Sequence, residues 1–91
     1  MTPKRIQRRR TKGWKMPPGA LYVGRPTPYG NPYKTAQEYR EWLNGDLPGQ
    51  FRYDRQFVIS HVKYLRGIDL ACWCPLDKPC HADILLELAN Q

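Results

Sequence analysis

Two short apolar runs with two helical patterns between them restrict the fold of this chain more than any other feature. Residues 20–25 carry Leu21, Tyr22 and Val23 and stop at Pro26; residues 68–74 carry Ile68, Leu70, Ala71 and Trp73 and stop at Pro75. Runs this short, rich in aliphatic and aromatic side chains and bounded by Gly and Pro, read as buried strands. Separated by helices, they predict a parallel pair joined by a right-handed crossover, with the helices covering the sheet.

The helices have their own start and stop signals. Thr35-Ala36-Gln37-Glu38 is a capping box, and Ala36, Tyr39, Arg40 and Leu43 follow at helical spacing up to Gly45, which predicts a helix over residues 35–44. A second helix starts at Asp54, puts Val58, His61, Val62 and Leu65 on one face and stops at Gly67. His61 on that apolar face reads as a packed, hydrogen-bonded residue rather than a ligand. Ile84, Leu85, Leu88 and Ala89 place the last helix over residues 82–90. Residues 13–19, with Pro17 and Pro18, form a turn, and residues 26–33, with Pro26, Pro28, Pro32 and the pair Gly30-Asn31, form a stiff loop expected to hold a residue at positive φ.

A chain of 91 residues makes one domain with a modest core, so a ligand, a metal or a second copy in a homodimer is expected to contribute to its stability. It contains no run of eighteen apolar residues, and its start is charged from Lys4 onward, so a cytoplasmic protein with no membrane partner is expected. In a reducing compartment its three cysteines would remain thiols, which favours metal binding or thiol chemistry over disulfides.

The net charge of +7 is unevenly placed: Lys4, Arg5, Arg8, Arg9, Arg10, Lys12, Lys15, Arg25 and Lys34 all precede the first acid, Glu38. Such asymmetry suits an anionic partner, either nucleic acid or a phosphorylated small molecule; the plainer alternative is a solvated basic strand. In extended form Lys4, Ile6, Arg8 and Arg10 share one face and Arg5, Gln7 and Arg9 the other, so neither face is apolar and the segment over residues 1–15 reads as an edge strand or a flexible arm.

The candidate chemistry lies near the C-terminus, in Cys72, Cys74, Cys80 and His81. Cys72 and Cys74 are two apart on a strand, so their thiols share a side while Trp73 packs on the other, at the carboxyl end where α/β sheets take ligands. Cys80 and His81 open the last helix, where free N–H groups favour negative charge and a lowered thiol pKa. Three readings follow. In the first, Cys72, Cys74, Cys80 and His81 form a Cys3His zinc site, for which the adjacency of Cys80 and His81 is unusual. In the second, the cluster faces a pocket for a nucleotide-like anion, with Arg25 on phosphate, Gly30 and Asn31 allowing close backbone approach, and Tyr29 or Tyr33 stacking on a base. In the third, the cysteines are small buried hydrophobes. A zinc deaminase is excluded: Asp83 stands where its second cysteine would be, and no H-x-E precedes it.

The runs Pro3-Lys4-Arg5-Ile6-Gln7, Gly13-Trp14, Tyr22-Val23-Gly24-Arg25-Pro26, Gly30-Asn31-Pro32-Tyr33, Leu70-Ala71-Cys72-Trp73-Cys74-Pro75 and Pro79-Cys80-His81-Ala82-Asp83 resemble the domain of unknown function 4326 family of bacteria and their phages, in order along nearly the whole chain. Residues 70–86 also resemble, more loosely, a segment of the domain of unknown function 488 family, in which an apolar strand ends in Cys and Cys-His-Arg opens a helix on a Rossmann-like sheet. Here Ala82 replaces that arginine. The resemblance implies an α/β fold with the Cys-His pair at the ligand end.

The expectation is therefore a small Rossmann-like α/β domain of order β-β-α-α-β-α that binds, with or without turnover, a nucleotide-related or phosphorylated small molecule. Cys80 and His81 are the candidate catalytic residues, and Arg25, Tyr29, Gly30, Asn31, Cys72 and Cys74 the candidate binding residues. The alternative is a nucleic-acid-binding module that uses the basic segment beside a structural zinc site.

Overall fold

The computed structural model describes residues 3–49 and 53–91. Its sheet has three strands, β1 (Arg5–Gln7), β2 (Leu21–Tyr22) and β3 (Leu70–Cys72), in the order β1-β3-β2. Both outer strands run parallel to β3, with Arg5 opposite Leu70 and Ile6 opposite Ala71 on one side, and Leu21 opposite Leu70 and Tyr22 opposite Ala71 on the other. The parallel pairing expected of the two apolar runs is present, and the basic segment supplies an edge strand.

The central position explains the composition of β3. Leu70, Ala71 and Cys72 are all buried, as a parallel strand covered on both faces requires. The first apolar run differs from expectation because β2 is an edge. Leu21 is 39% exposed, and Val23 carries the burial, its N–H donating to the Ala71 carbonyl at 2.9 Å. Strand β3 is likewise shorter than residues 68–74: it ends at Cys72, and Trp73 turns outward, 38% exposed, instead of packing into the core.

Helix α1 (Ala36–Leu43) has the expected capping box, with Glu38 N–H donating to Thr35 Oγ1 and Thr35 N–H to Glu38 Oε1, each at 3.1 Å. It buries Tyr39, Trp42 and Leu43. Helix α2 (Arg55–His61) is capped by Asp54, which accepts from Gln56 N–H at 2.9 Å, and tightens into a 3-10 turn over Val62–Leu65 ahead of Gly67, whose φ is +78°. His61 is a packed residue: its ring stacks on Phe57 at 4.1 Å and Nδ1 lies 2.9 Å from the Phe57 carbonyl. Helix α3 (His81–Ala89) buries Ile84, Leu85 and Ala89 against α1 and the 3-10 turn. No helix among the described residues is long and apolar enough to cross a membrane.

The loop over residues 26–33 corrects another expectation, because none of its residues has positive φ; among the described residues the positive values fall at Gly13, Gly19, Gly45 and Gly67. The chain reverses there through a cis Arg25–Pro26 bond and two turns, Thr27 N–H to the Gly24 carbonyl and Gly30 N–H to the Thr27 carbonyl, each 2.9 Å. Gly30 is needed for space rather than conformation. A Cβ there would lie 2.9 Å from Arg25 Cγ and 3.2 Å from Arg25 Cα.

Candidate functional site

Strands β2 and β3 deliver their following loops to one end of the sheet, and a cavity of about 330 Å³ lies between those loops. Tyr22, Gly24, Arg25, Asn31, Tyr33, Lys34 and Ala36 line it on one side, and Cys72, Trp73, Cys74, Pro79, Cys80 and His81 on the other. Among the described residues, its charged lining residues are Arg25 and Lys34, and no carboxylate lines it. The volume is within the range that holds a drug-sized ligand.

The thiols of Cys72, Cys74 and Cys80 meet on the β3 side. Their sulfurs all lie within 4.8 Å of one another, Cys72 and Cys74 at 3.8 Å. Alternation past the end of β3 brings Cys72 and Cys74 to one side, and Cys80, extended at φ −143° as the N-cap of α3, completes the group. Because Cys80 precedes the helix, adjacency does not drive it apart from His81: Cys80 Sγ and His81 Nδ1 are 3.7 Å apart. His81 is buried with Nε2 2.8 Å from the Val23 carbonyl. A carbonyl only accepts, so the proton is on Nε2, and in the neutral ring Nδ1 keeps its lone pair toward Cys80.

The three thiols differ in acidity. Cys80 is held below the ordinary thiol value, first by hydrogen bonding from Cys72 and further by the Ala82 N–H and the Arg5 guanidinium, against the opposing effect of burial. Cys72 is raised by its bond to Cys80 and by burial, and Cys74 is raised chiefly by burial. At the start of helix α3, Asp83 N–H donates to the Cys80 carbonyl at 3.0 Å and Cys80 N–H donates to Asp83 Oδ2 at 3.1 Å.

Arg5 is the residue of this region that sequence reasoning missed. Read as part of a solvated basic strand, its side chain is 8% exposed. Nε pairs with Asp83 Oδ1 at 3.2 Å, and Nη2 donates to the carbonyls of Pro75, Leu76 and Lys78 at 3.1, 2.9 and 2.8 Å. It therefore ties β1 to the turn that carries Cys80 into place. Nη1 is buried with no hydrogen-bond partner. Nothing local in the basic run marks Arg5 apart from Arg9; the pairing of β1 with β3 does so.

Of the residues singled out in the sequence, Arg25, Asn31, Tyr33, Cys72, Cys74, Cys80 and His81 line the cavity together, and Tyr29 and Gly30 do not. Asn31 works as a brace, with Nδ2 donating to the Thr35 carbonyl at 2.9 Å and Oδ1 accepting from Tyr33 N–H at 2.8 Å. Tyr29 packs on Phe57 with centroids 5.6 Å apart, and its carbonyl accepts from the Tyr39 hydroxyl at 2.9 Å. Gly30 is buried beneath Arg25 and Tyr53. Lys34, Tyr22 and Trp73 join the lining instead. Trp73 also faces a shallow cleft formed with residues 7–11, where Arg8 and Arg10 stack over its ring at 4.7 and 4.9 Å and Arg8 reaches Tyr22 at 4.6 Å.

A parallel sheet with a cavity and a thiol cluster at its carboxyl end defines a small α/β domain. The chain belongs to the family described as a domain of unknown function (DUF4326), whose model matches residues 6–91. No curated protein and no solved structure is matched by the chain.

Proposed function

We propose that the cavity binds a nucleotide-like or other phosphorylated small molecule, above a zinc ion held by Cys72, Cys74 and Cys80. The observation that carries this reading is the lining: Arg25 and Lys34 with Tyr22, Tyr33 and Trp73, and no carboxylate among the described residues. Guanidinium and ammonium groups suit phosphate, and aromatic faces suit a base. Three converging thiols supply soft ligands of the type and spacing zinc takes. With the metal bound, Cys80 is a ligand rather than a free nucleophile, and His81 Nδ1 is the proton acceptor beside it.

Calorimetry with adenosine monophosphate, uridine monophosphate and inorganic phosphate tests this. A nucleotide is expected to bind, and Arg25→Ala and Lys34→Ala each to weaken it about tenfold, the value of one charged contact of roughly 1.4 kcal/mol. Both side chains are exposed, so neither variant should lower the melting temperature. Equal affinity in the wild type and both variants, or no binding of any probe, rejects the reading.

The stacking of Arg8 and Arg10 on Trp73 favours a second reading, in which the basic segment tracks a single nucleic-acid strand. The binding of a labelled oligonucleotide would then fall steeply with salt, and the double variant Arg9→Glu, Arg10→Glu would flatten that dependence while sparing mononucleotide binding. A salt-independent oligonucleotide affinity rejects it.

A further inference from the structure

Three facts about the thiol cluster bear on what a metal would do there. The 3.8 Å between Cys72 and Cys74 sulfurs matches the edge of about 3.8 Å that a tetrahedron with Zn–S bonds near 2.3 Å requires. The group of donor atoms that lie within 4.8 Å of one another consists of the three sulfurs, and His81 stands outside it, with Nδ1 3.7 Å from Cys80 Sγ and its ring fixed by the Val23 carbonyl and by edge contact with Tyr39 at 5.2 Å. All three thiols also line the cavity.

Charge gives the fourth fact. A divalent ion on three thiolates carries a net negative charge, and a buried charge needs a partner. The Arg5 side chain is 8% exposed and pairs on one edge with Asp83, which is itself about half exposed. Its Nη1 is buried without a hydrogen-bond partner, an arrangement that is costly on its own and that a nearby anion would relieve.

Resting on the zinc reading above, we infer that the metal is held by three protein ligands, Cys72, Cys74 and Cys80, with its fourth coordination position open to the cavity and Arg5 as the charge partner of the thiolates. The fourth position then takes water or an oxygen or nitrogen atom of the bound molecule. A closed Cys3His set would be purely structural; an open three-ligand set is the arrangement in which zinc polarises or activates what it binds. His81 Nδ1 stands 3.7 Å from Cys80 Sγ as a neighbouring polar group, and Arg5 is a positioning residue that acts through the thiolates.

The test loads the full chain with Co2+, whose visible spectrum reports coordination, and adds imidazole as a neutral nitrogen donor. One metal per chain and a saturable imidazole-dependent shift in the wild type are expected. His81→Ala should keep the metal and the shift, Cys74→Ser should weaken metal binding at least about a hundredfold, and Arg5→Met should weaken it about 10–100-fold, with Arg5→Lys restoring part of the loss. Absence of metal binding overturns the inference. So does a wild-type spectrum that imidazole leaves unchanged, which would mean that the fourth position is filled by His81; this readout needs no variant to fold. Nucleotide calorimetry separates the two proposals. Nucleotide binding without a metal leaves the cavity reading standing and rejects this one, whereas an open metal site without nucleotide binding does the reverse.

Discussion

Replacing Arg5 with methionine tests whether one buried guanidinium holds the sheet to the cysteine turn. Nη2 faces three carbonyls but carries two hydrogens, so two full bonds are lost, each worth about 1.5–3 kcal/mol for a charged donor. Pro75, Leu76 and Lys78 are exposed and their carbonyls rehydrate, so no penalty for orphaned acceptors is added. The ion pair with the half-exposed Asp83 contributes at most about 1 kcal/mol. Against these losses, methionine removes the unpartnered Nη1 and keeps an apolar stem. The net expected loss is about 2–3 kcal/mol, a melting temperature lower by roughly 10–20 °C for a domain of this size. Urea and thermal unfolding followed by circular dichroism in chelator measure it without the contribution of a metal. Arg9→Met, exposed on the same strand extension, is the control and should stay within about 0.5 kcal/mol. An Arg5→Met protein as stable as that control would refute the assignment.

Gly30→Ala should destabilise by about 1–3 kcal/mol, because the new Cβ meets Arg25 backbone and Tyr53, and it should weaken nucleotide binding in calorimetry by moving Arg25. Thr35→Ala removes one half of the capping box and should cost about 1 kcal/mol in urea unfolding, with nucleotide affinity kept.

The elements whose signals are local were legible in the sequence. Thr35 and Glu38 fix the start of α1 through their own hydrogen bonds, and the helices between the two apolar runs favoured the parallel pairing that is found. What the sequence did not show depends on which strand is central. With β3 in the middle, Leu21 becomes an edge residue, Trp73 leaves the core for the cavity rim, and Arg5 is carried over the turn at residues 75–78. The same limit holds at the site. The cysteines were visible as a group because their spacing is short, but Lys34 and Tyr22 join it through the return of a loop, which leaves no periodic trace. The positive φ expected within residues 26–33 failed for a related reason: Gly30 is required by Arg25 and Tyr53 above it, a tertiary demand.

A sheet of three very short strands makes few ladder bonds, so the loops at its carboxyl end must be held by something else. Arg5 fixes residues 75–78 from the β1 side, and Asn31 braces the opposite loop onto α1. A metal on Cys72, Cys74 and Cys80 would link the end of β3 directly to the start of α3. Linkage sets the scale: free zinc at a hundred times its dissociation constant stabilises the folded chain by about 2.7 kcal/mol. Set against a total of about 5–15 kcal/mol for a domain, that is a large share, equivalent to a shift of roughly 10–20 °C in melting temperature. Zinc-loaded and chelator-treated protein should therefore differ by that amount in thermal unfolding, and the treated protein should be cleaved first within residues 73–80 by a nonspecific protease, because the turn has lost its anchor at one end. Equal melting temperatures and equal cleavage would mean that the three thiols pack as small apolar groups and that Arg5 and the core hold the cavity walls unaided.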